Sequence, residues 1–121
     1  MTRASPSVLV VDDEALLLIT IADELRCAGF HVYEATTADA AIKLLEQHDD
    51  IGILFTDVDM PGSMDGAKLS RAVRDRWPPM KIIVTSGKTY GVGLQLPDDS
   101  VFMPKPYMTT ALVRAIHKLM T

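Results

Sequence analysis

The chain has 121 residues, a length that suits one domain with a sizeable core. Hydrophobic residues make up 48% and charged residues 23%, which is ordinary for a soluble globular protein. The formal net charge of -4 argues against nucleic-acid binding, which needs a basic face. No stretch is long enough to span a membrane, and a secretory signal is absent. We therefore expect protein partners, no nucleic acid and no membrane.

Cysteine usage points to the compartment. The single Cys27 cannot form an internal disulfide, which indicates a reducing, cytoplasmic environment. Cys27 lies in a helical pattern, and we interpret it as a core residue rather than a reactive thiol.

Strand and helix patterns alternate along the chain. In chain order they predict a strand at 8–11, a helix at 15–28 stopped by Gly29, a strand at 31–34, a helix capped by Thr37, a strand at 51–56, a helix at 66–77, strands at 80–85 and 101–103, and a helix at 109–120. This alternation favours a doubly wound, five-stranded parallel α/β sheet with helices on both sides.

One helix of this pattern is weak. Between Ser86 and Lys105, the glycines at 91 and 93 and the proline at 97 lie where a fourth helix is expected. Each Gly costs ~1 kcal/mol of helix stability and an interior Pro ~3 kcal/mol. We therefore expect a shortened fourth helix, and a reshaped surface around it.

Carboxylates follow two strands that should be neighbours. Asp12 and Asp13 come after the first strand, and Asp57 ends the third. Ligand sites in open α/β sheets lie at the carboxyl ends of strands. Crowded acids repel one another unless a divalent cation neutralises them, and their hard oxygen ligands suit Mg²⁺.

The remaining strand ends supply the other parts of a phosphoryl-transfer site. A carboxylate such as Asp57 can act as a nucleophile towards phosphorus. The reaction requires positioning, a metal ion and a cation near the phosphoryl oxygens. Lys105 can supply that cation, and Ser86 a hydroxyl donor.

Each of these residues also has an ordinary interpretation. Asp12 and Asp13 could begin and cap the first helix, and Asp57 could form a turn. Lys105 could be a solvated surface lysine, and Ser86 an ordinary loop serine. Because all the ordinary interpretations would have to hold together in this order, we favour the functional one.

The ordered motifs resemble the receiver domain of two-component response regulators, in a single-domain, chemotaxis-regulator-like form. The resemblance covers nearly the whole chain and rests on Val10-Val11-Asp12-Asp13-Glu14, Phe55-Thr56-Asp57-Val58-Asp59-Met60-Pro61-Gly62, Val84-Thr85-Ser86-Gly87 and Lys105-Pro106. It implies a flavodoxin-like (βα)5 fold and one receiver domain over residues 1–121.

The resemblance also implies the roles of single residues. Asp57 would accept a phosphoryl group from a histidine kinase or a histidine phosphotransfer protein. Asp12, Asp13, Asp57 and the backbone carbonyl of Asp59 would hold Mg²⁺. Ser86 and Lys105 would contact the phosphoryl group.

A switch and a conformational feature follow from the same resemblance. Ser86 would move towards the phosphoryl group, and Phe102 falls where the family keeps its switch aromatic. Core packing is the other interpretation of Phe102. The Lys105–Pro106 bond is often cis in this family, which fits the low cis penalty of proline.

We expect a stand-alone regulator, since no output domain follows residue 121. It would be a phosphoacceptor with slow self-dephosphorylation, not an enzyme acting on a metabolite, and would signal by docking to a downstream protein target. A phosphate sink and a phosphorylation-independent binding module are the alternatives. The sequence leaves open a weak homodimer through the last helix.

An enzymatic alternative is a haloacid-dehalogenase-like phosphatase, whose nucleophile and acid/base pair Asp57 and Asp59 would imitate. That family places its Asp-x-Asp pair on the first strand. Here the pair lies in the middle of a chain too short for the usual core and cap.

The chain departs from the family pattern near the site. Pro104 removes an N–H at the end of the fifth strand. Asp59 follows the acceptor by two residues, and Lys88 follows Ser86 by two. Because both would flank the route of an attacking water, we hypothesise that an Asp59–Lys88 pair tunes the acyl-phosphate lifetime. An unchanged dephosphorylation rate in Lys88→Ala would contradict this.

Overall fold

A single parallel sheet organises the protein. The computed structural model describes residues 6–60, 64–87 and 96–120. Its elements are β1 (Ser7–Val11), α1 (Ala15–Cys27), β2 (Val32–Ala35), α2 (Ala38–Gln47), β3 (Ile51–Asp57), α3 (Gly66–Arg76), β4 (Lys81–Ser86), β5 (Val101–Pro104) and α4 (Thr109–Met120). The strands lie in the order β2-β1-β3-β4-β5, and all neighbours are parallel. The predicted doubly wound architecture is confirmed.

The central strands are apolar on both faces because helices cover both sides of the sheet. Side chains alternate between the faces, so Leu9, Leu54 and Ile82 pack in the layer with α2 and α3. Val8 and Ile53 pack in the opposite layer with α1 and α4. Each such side chain contributes about 1.5–3 kcal/mol when fully buried, which makes the sheet a rigid base.

Local signals fix the helix ends. The Thr37 hydroxyl accepts a hydrogen bond from the Ala40 N–H at 3.1 Å, as the predicted cap of α2. Asp65 caps α3 by accepting from the Lys68 N–H at 2.9 Å. Gly29 follows α1 with a φ of 100°, a left-handed conformation that glycine adopts without strain.

The predicted shortened fourth helix falls on residues 88–95, which lie outside the described residues, and it stays a prediction. Residues 96–100 form a turn before β5. In it the Ser100 N–H donates to the Pro97 carbonyl at 3.2 Å, and Asp99 has a φ of 68°.

Cys27 is the last residue of α1. It is exposed, so its interpretation as a core residue is wrong. It lies two positions beyond the buried Leu25, about 200° further around the helix.

Pro104 ends the edge strand β5, a position where a missing N–H is tolerated. Among the described helices, none is long and apolar enough to cross a membrane.

Hydrogen bonds among a cluster of polar residues connect the amino ends of β1, β2 and β3. The buried Ser7 hydroxyl donates to Asp50 Oδ2 at 2.5 Å and lies 2.9 Å from His31 Nδ1. The Tyr33 hydroxyl donates to the same carboxylate, at 3.0 and 3.1 Å from its two oxygens. The hydrogen bond from Ser7 is the main reason that the pKa of Asp50 lies below its usual value.

We expect this cluster to make stability depend on pH. Because the folded-state pKa of Asp50 is lowered, the stabilisation is present above the unfolded-state pKa and is lost as pH falls through the folded-state value. Ser7→Ala should lower the free energy of unfolding by about 0.5–1.5 kcal/mol at neutral pH and by less in acid, where Asp50 is protonated. Urea denaturation at several pH values measures both.

Ser70→Ala is a matched control. Ser70 is equally buried, but its hydroxyl donates to the Ala67 carbonyl at 2.7 Å, which does not titrate. Its effect on stability should be the same at every pH. A Ser7→Ala effect that is likewise independent of pH would contradict the role given to Asp50.

Candidate functional site

The carboxyl ends of four strands meet where the chain order of the sheet reverses. β1 and β3 are neighbours there, with β2 on one side and β4 and β5 on the other. Such a reversal opens a crevice at the strand ends. Asp12 follows β1, Asp57 ends β3, Ser86 ends β4 and Lys105 follows β5, so the topology gathers the predicted site residues at one edge.

Two hydrogen-bond donors hold the side chain of Asp57 at this edge. It is only 3% exposed. Its Oδ2 accepts a hydrogen bond from Lys105 Nζ at 3.0 Å, and its Oδ1 accepts from the Asp59 N–H at 3.0 Å. Because a carboxylate has lone pairs beyond those two bonds, Asp57 is oriented and can still bind a metal or attack an electrophile.

Asp12, Asp13 and Asp57 form an acidic cluster whose carboxylate oxygens lie within 4.8 Å of one another. Asp12 is buried, and its Oδ1 accepts from the Glu14 N–H at 2.9 Å. Burial, together with the charge of Asp57, raises the pKa of Asp12. Hard oxygens concentrated in this way fit Mg²⁺, which would be held by these three residues.

Lys105 provides the local positive charge. Its ammonium group lies 3.0 Å from Asp57 Oδ2 and 3.9 Å from Asp12 Oδ2. Burial alone would lower the pKa of Lys105, but the hydrogen bond and charge of Asp57, with the charge of Asp12, raise it. The lysine therefore stays protonated and partly neutralises the cluster.

Ser86 and Asp59 are joined by a contact that the sequence did not predict. The Ser86 hydroxyl donates to Asp59 Oδ2 at 2.8 Å. Ser86 is fully buried and Asp59 is half-buried. Lys88 lies outside the described residues, so its pairing with Asp59 stays a prediction.

The end of β5 is tied to the end of β4. The Lys105 N–H donates to the Ser86 carbonyl at 3.0 Å, and the Lys105–Pro106 bond is cis, as expected. Phe102 pairs with Val84 and packs, half-buried, against the layer of α2 and α3. This placement fits both interpretations of Phe102, as core and as switch.

Gly66 supports the site in a way that sequence reasoning missed. Its N–H donates to the Val58 carbonyl at 3.1 Å. A Cβ added here would lie 2.0 Å from the Asp57 carbonyl oxygen, so only glycine lets α3 begin this close to β3. The sequence signal is a glycine at the first position of a helix, where it otherwise costs stability.

Tyr107 also borders the acidic cluster. Its ring packs edge-on against Phe55, with the ring centroids 5.5 Å apart. Burial raises the pKa of Tyr107, and the charges of Asp12 and Asp57 raise it further. The phenol therefore stays neutral beside the cluster.

Gly66→Ala should lower the free energy of unfolding by about 1–3 kcal/mol, because backbone atoms must move to admit the methyl group. Gly87→Ala is the matched control, since a Cβ there meets Lys105 atoms at an ordinary 3.7 Å. Urea denaturation compares the two variants. Equal stability of both would contradict the close approach of α3 to Asp57.

Asp12→Asn should raise the free energy of unfolding of the metal-free protein by about 1 kcal/mol, because it relieves charge repulsion in a buried place. The same change should weaken Mg²⁺ binding, measured by calorimetry. Asp49→Asn, which changes an exposed acid, is the control and should alter neither quantity. A less stable Asp12→Asn protein would contradict repulsion in the cluster.

Comparison with known proteins identifies the family. The family model of the response regulator receiver domain matches residues 8–117. The chain is 31% identical over 120 residues to the sensor kinase CckA of Brucella abortus (strain 2308), covering 96% of this chain and 13% of that protein. It is 31% identical over 118 residues to the C4-dicarboxylate transport transcriptional regulatory protein DctD of Rhizobium meliloti (strain 1021), covering 95% of this chain and 25% of that protein.

The chain thus spans only a small part of the length of these two relatives. Among solved structures, a response regulator receiver protein from Sinorhizobium medicae WSM419 superposes with a TM-score of 0.86 at 30% identity. That likeness covers 96% of this chain and 94% of the other. The chain belongs to the response regulator receiver domain family of two-component signalling.

Proposed function

We propose that Asp57 accepts a phosphoryl group from a phosphohistidine of a histidine kinase or histidine phosphotransfer protein, in a Mg²⁺-dependent reaction. The supporting observation is the buried Asp57 carboxylate, which two donors orient beside Asp12 and Asp13. The domain then acts as a stand-alone regulator whose binding surface for a downstream protein changes with phosphorylation.

The chemical step uses the Asp57 carboxylate as the nucleophile. A bond forms between its oxygen and phosphorus while the phosphorus–nitrogen bond of the donor breaks. The nitrogen keeps the electron pair, and the leaving imidazole takes up a proton. The Lys105 ammonium, 3.0 Å from Asp57, offsets negative charge on the phosphoryl oxygens.

Mg²⁺, when bound, supplies further neutralisation of those oxygens. Asp12, Asp13, Asp57 and the main-chain carbonyl of Asp59 are the residues that would hold it. Under this proposal the protein is a phosphoacceptor that slowly dephosphorylates itself, and it does not turn over a metabolite.

Exposed apolar side chains near the acceptor support a protein as the phosphoryl donor. Leu16 is 82% exposed and Ile19 50% exposed on α1, which begins just after Asp12 and Asp13. Met108, three residues after Lys105, is 71% exposed. Exposed apolar groups on the segments that follow the site residues are available for contact with a protein donor.

Incubation with acetyl phosphate and Mg²⁺, followed by intact-mass measurement, tests the acceptor. We expect one phosphoryl group on the wild type and none on Asp57→Asn or when the metal is chelated. Asp50→Asn is a matched control, since this acid lies at the opposite end of the strands and should be phosphorylated like the wild type.

A phosphoryl group that persists on Asp57→Asn would contradict the assignment. A folded, metal-binding wild type without any adduct would next be offered a phosphohistidine donor. Failure with that donor as well would favour a phosphorylation-independent binding module.

A further inference from the structure

The hydrogen bond between Ser86 and Asp59 uses the hydroxyl that we also expect to donate to a phosphoryl group on Asp57. Ser86 is fully buried, and its hydroxyl donates to Asp59 Oδ2 at 2.8 Å. A serine hydroxyl carries a single hydrogen. It therefore cannot donate fully to the Asp59 carboxylate and to a phosphoryl oxygen at the same time.

The second acceptor would arise close to the first. Asp57 pairs in register with Thr85, and Ser86 is the next residue of β4. A phosphoryl group on Asp57 would place anionic oxygens at this edge, where the family resemblance implies that Ser86 contacts them. The Asp59 carboxylate would then lose its donor and face a second anion.

Within the part of the chain that the structure describes, the Asp59 side chain and the Asp59 backbone make separate contacts in the site. Its N–H donates to Asp57 Oδ1 at 3.0 Å, and its main-chain carbonyl is the expected metal ligand. Both groups belong to the backbone and survive substitution of the side chain. The carboxylate itself contacts Ser86, through a charge-assisted hydrogen bond of the stronger kind.

We propose that Asp59 is a positioning residue that holds the Ser86 hydroxyl in its unphosphorylated orientation and so opposes phosphorylation-driven activation. The proposal rests on the proposed function and adds a regulatory device to the same site. It concerns the equilibrium between the two forms, whereas the hypothetical Asp59–Lys88 pair concerns hydrolysis. Through Ser86, phosphorylation shifts the equilibrium between the two forms by a difference in free energy. This is the difference between the hydrogen bond that Ser86 gains at the phosphoryl group and the one that it loses at Asp59.

The competition for the Ser86 hydroxyl can affect the neighbouring strand β5. The Ser86 carbonyl accepts from the Lys105 N–H at 3.0 Å, and β4 pairs with β5 from Ile83↔Val101 to Ser86↔Pro104. A change at Ser86 therefore reaches the strand that carries Phe102. The strength of the Ser86–Asp59 bond thus bears on how readily this edge of the sheet rearranges.

Beryllofluoride, a tetrahedral anion that mimics a phosphoryl group on a carboxylate, gives an equilibrium test. Its dissociation constant is measured by calorimetry at saturating Mg²⁺ for the wild type, Asp59→Ala, Ser86→Ala and the double variant. Removing the competing acceptor should tighten binding about three- to tenfold, as expected for one partly buried hydrogen bond. In the Ser86→Ala background, Asp59→Ala should have little further effect.

Asp59→Asn is the matched variant that separates hydrogen bonding from charge. It keeps an acceptor oxygen but removes the negative charge, which weakens the charge-assisted hydrogen bond, so it should bind beryllofluoride more tightly than the wild type and less tightly than Asp59→Ala. Simple repulsion between Asp59 and the bound anion predicts instead that Asn behaves like Ala and that Ser86 is irrelevant. Urea denaturation of the metal-free variants gives a second readout. The changes in the free energy of unfolding caused by Asp59→Ala and Ser86→Ala should not add up in the double variant.

The outcomes distinguish the two proposals. If the wild type binds beryllofluoride but Asp59→Ala tightens binding equally with and without Ser86, the competition for the hydroxyl is wrong and the phosphoacceptor role stands. If the wild type with Mg²⁺ bound takes up no beryllofluoride, the phosphoacceptor role is contradicted, and the role of Asp59 falls with it.

Discussion

Repulsion among carboxylates is the constraint around which this domain is built. Asp12, Asp13 and Asp57 present oxygens within 4.8 Å of one another, and two of these residues are buried. Lys105 offsets only part of that charge. Isolated acids would move apart or take up protons. Here they are held at the ends of paired strands, so the site keeps a strong preference for cations.

The free energy gained by burying the apolar sheet offsets the repulsion among these carboxylates. β1, β3 and β4 are covered on both faces, and their side chains contribute to both layers of the core. Because neighbouring strands are paired in register up to Asp57 and Ser86, the acidic edge cannot relax without disturbing that pairing. The close approach of α3 at Gly66 restrains the end of β3 in the same way. Rigidity in the scaffold thus maintains electrostatic strain at its edge.

The sequence predicts the fold and the gathering of the site well, for a physical reason. Apolar runs set the strands, and parallel topology brings strand ends together, so Asp12, Asp57 and Lys105 follow from pattern alone. Features that depend on side-chain direction do not follow in this way. Cys27 was misplaced because two residues turn a helix through about 200°. The Ser86–Asp59 bond joins a strand end to a loop, and no periodicity encodes it.

The hydrogen-bond donors around Asp57 are of two kinds: those that already contact its carboxylate, and one whose hydroxyl contacts another residue. The Asp59 N–H and the Lys105 ammonium already contact the Asp57 carboxylate, so under the proposed function they would lie beside the phosphoryl group from the start. Ser86 is different, because its hydroxyl is engaged elsewhere, 2.8 Å from Asp59. A donor that must change partners costs free energy when it moves. Under the proposed function, such a donor would transmit the charge of the phosphoryl group to β5, whereas the preorganised donors would stabilise that charge.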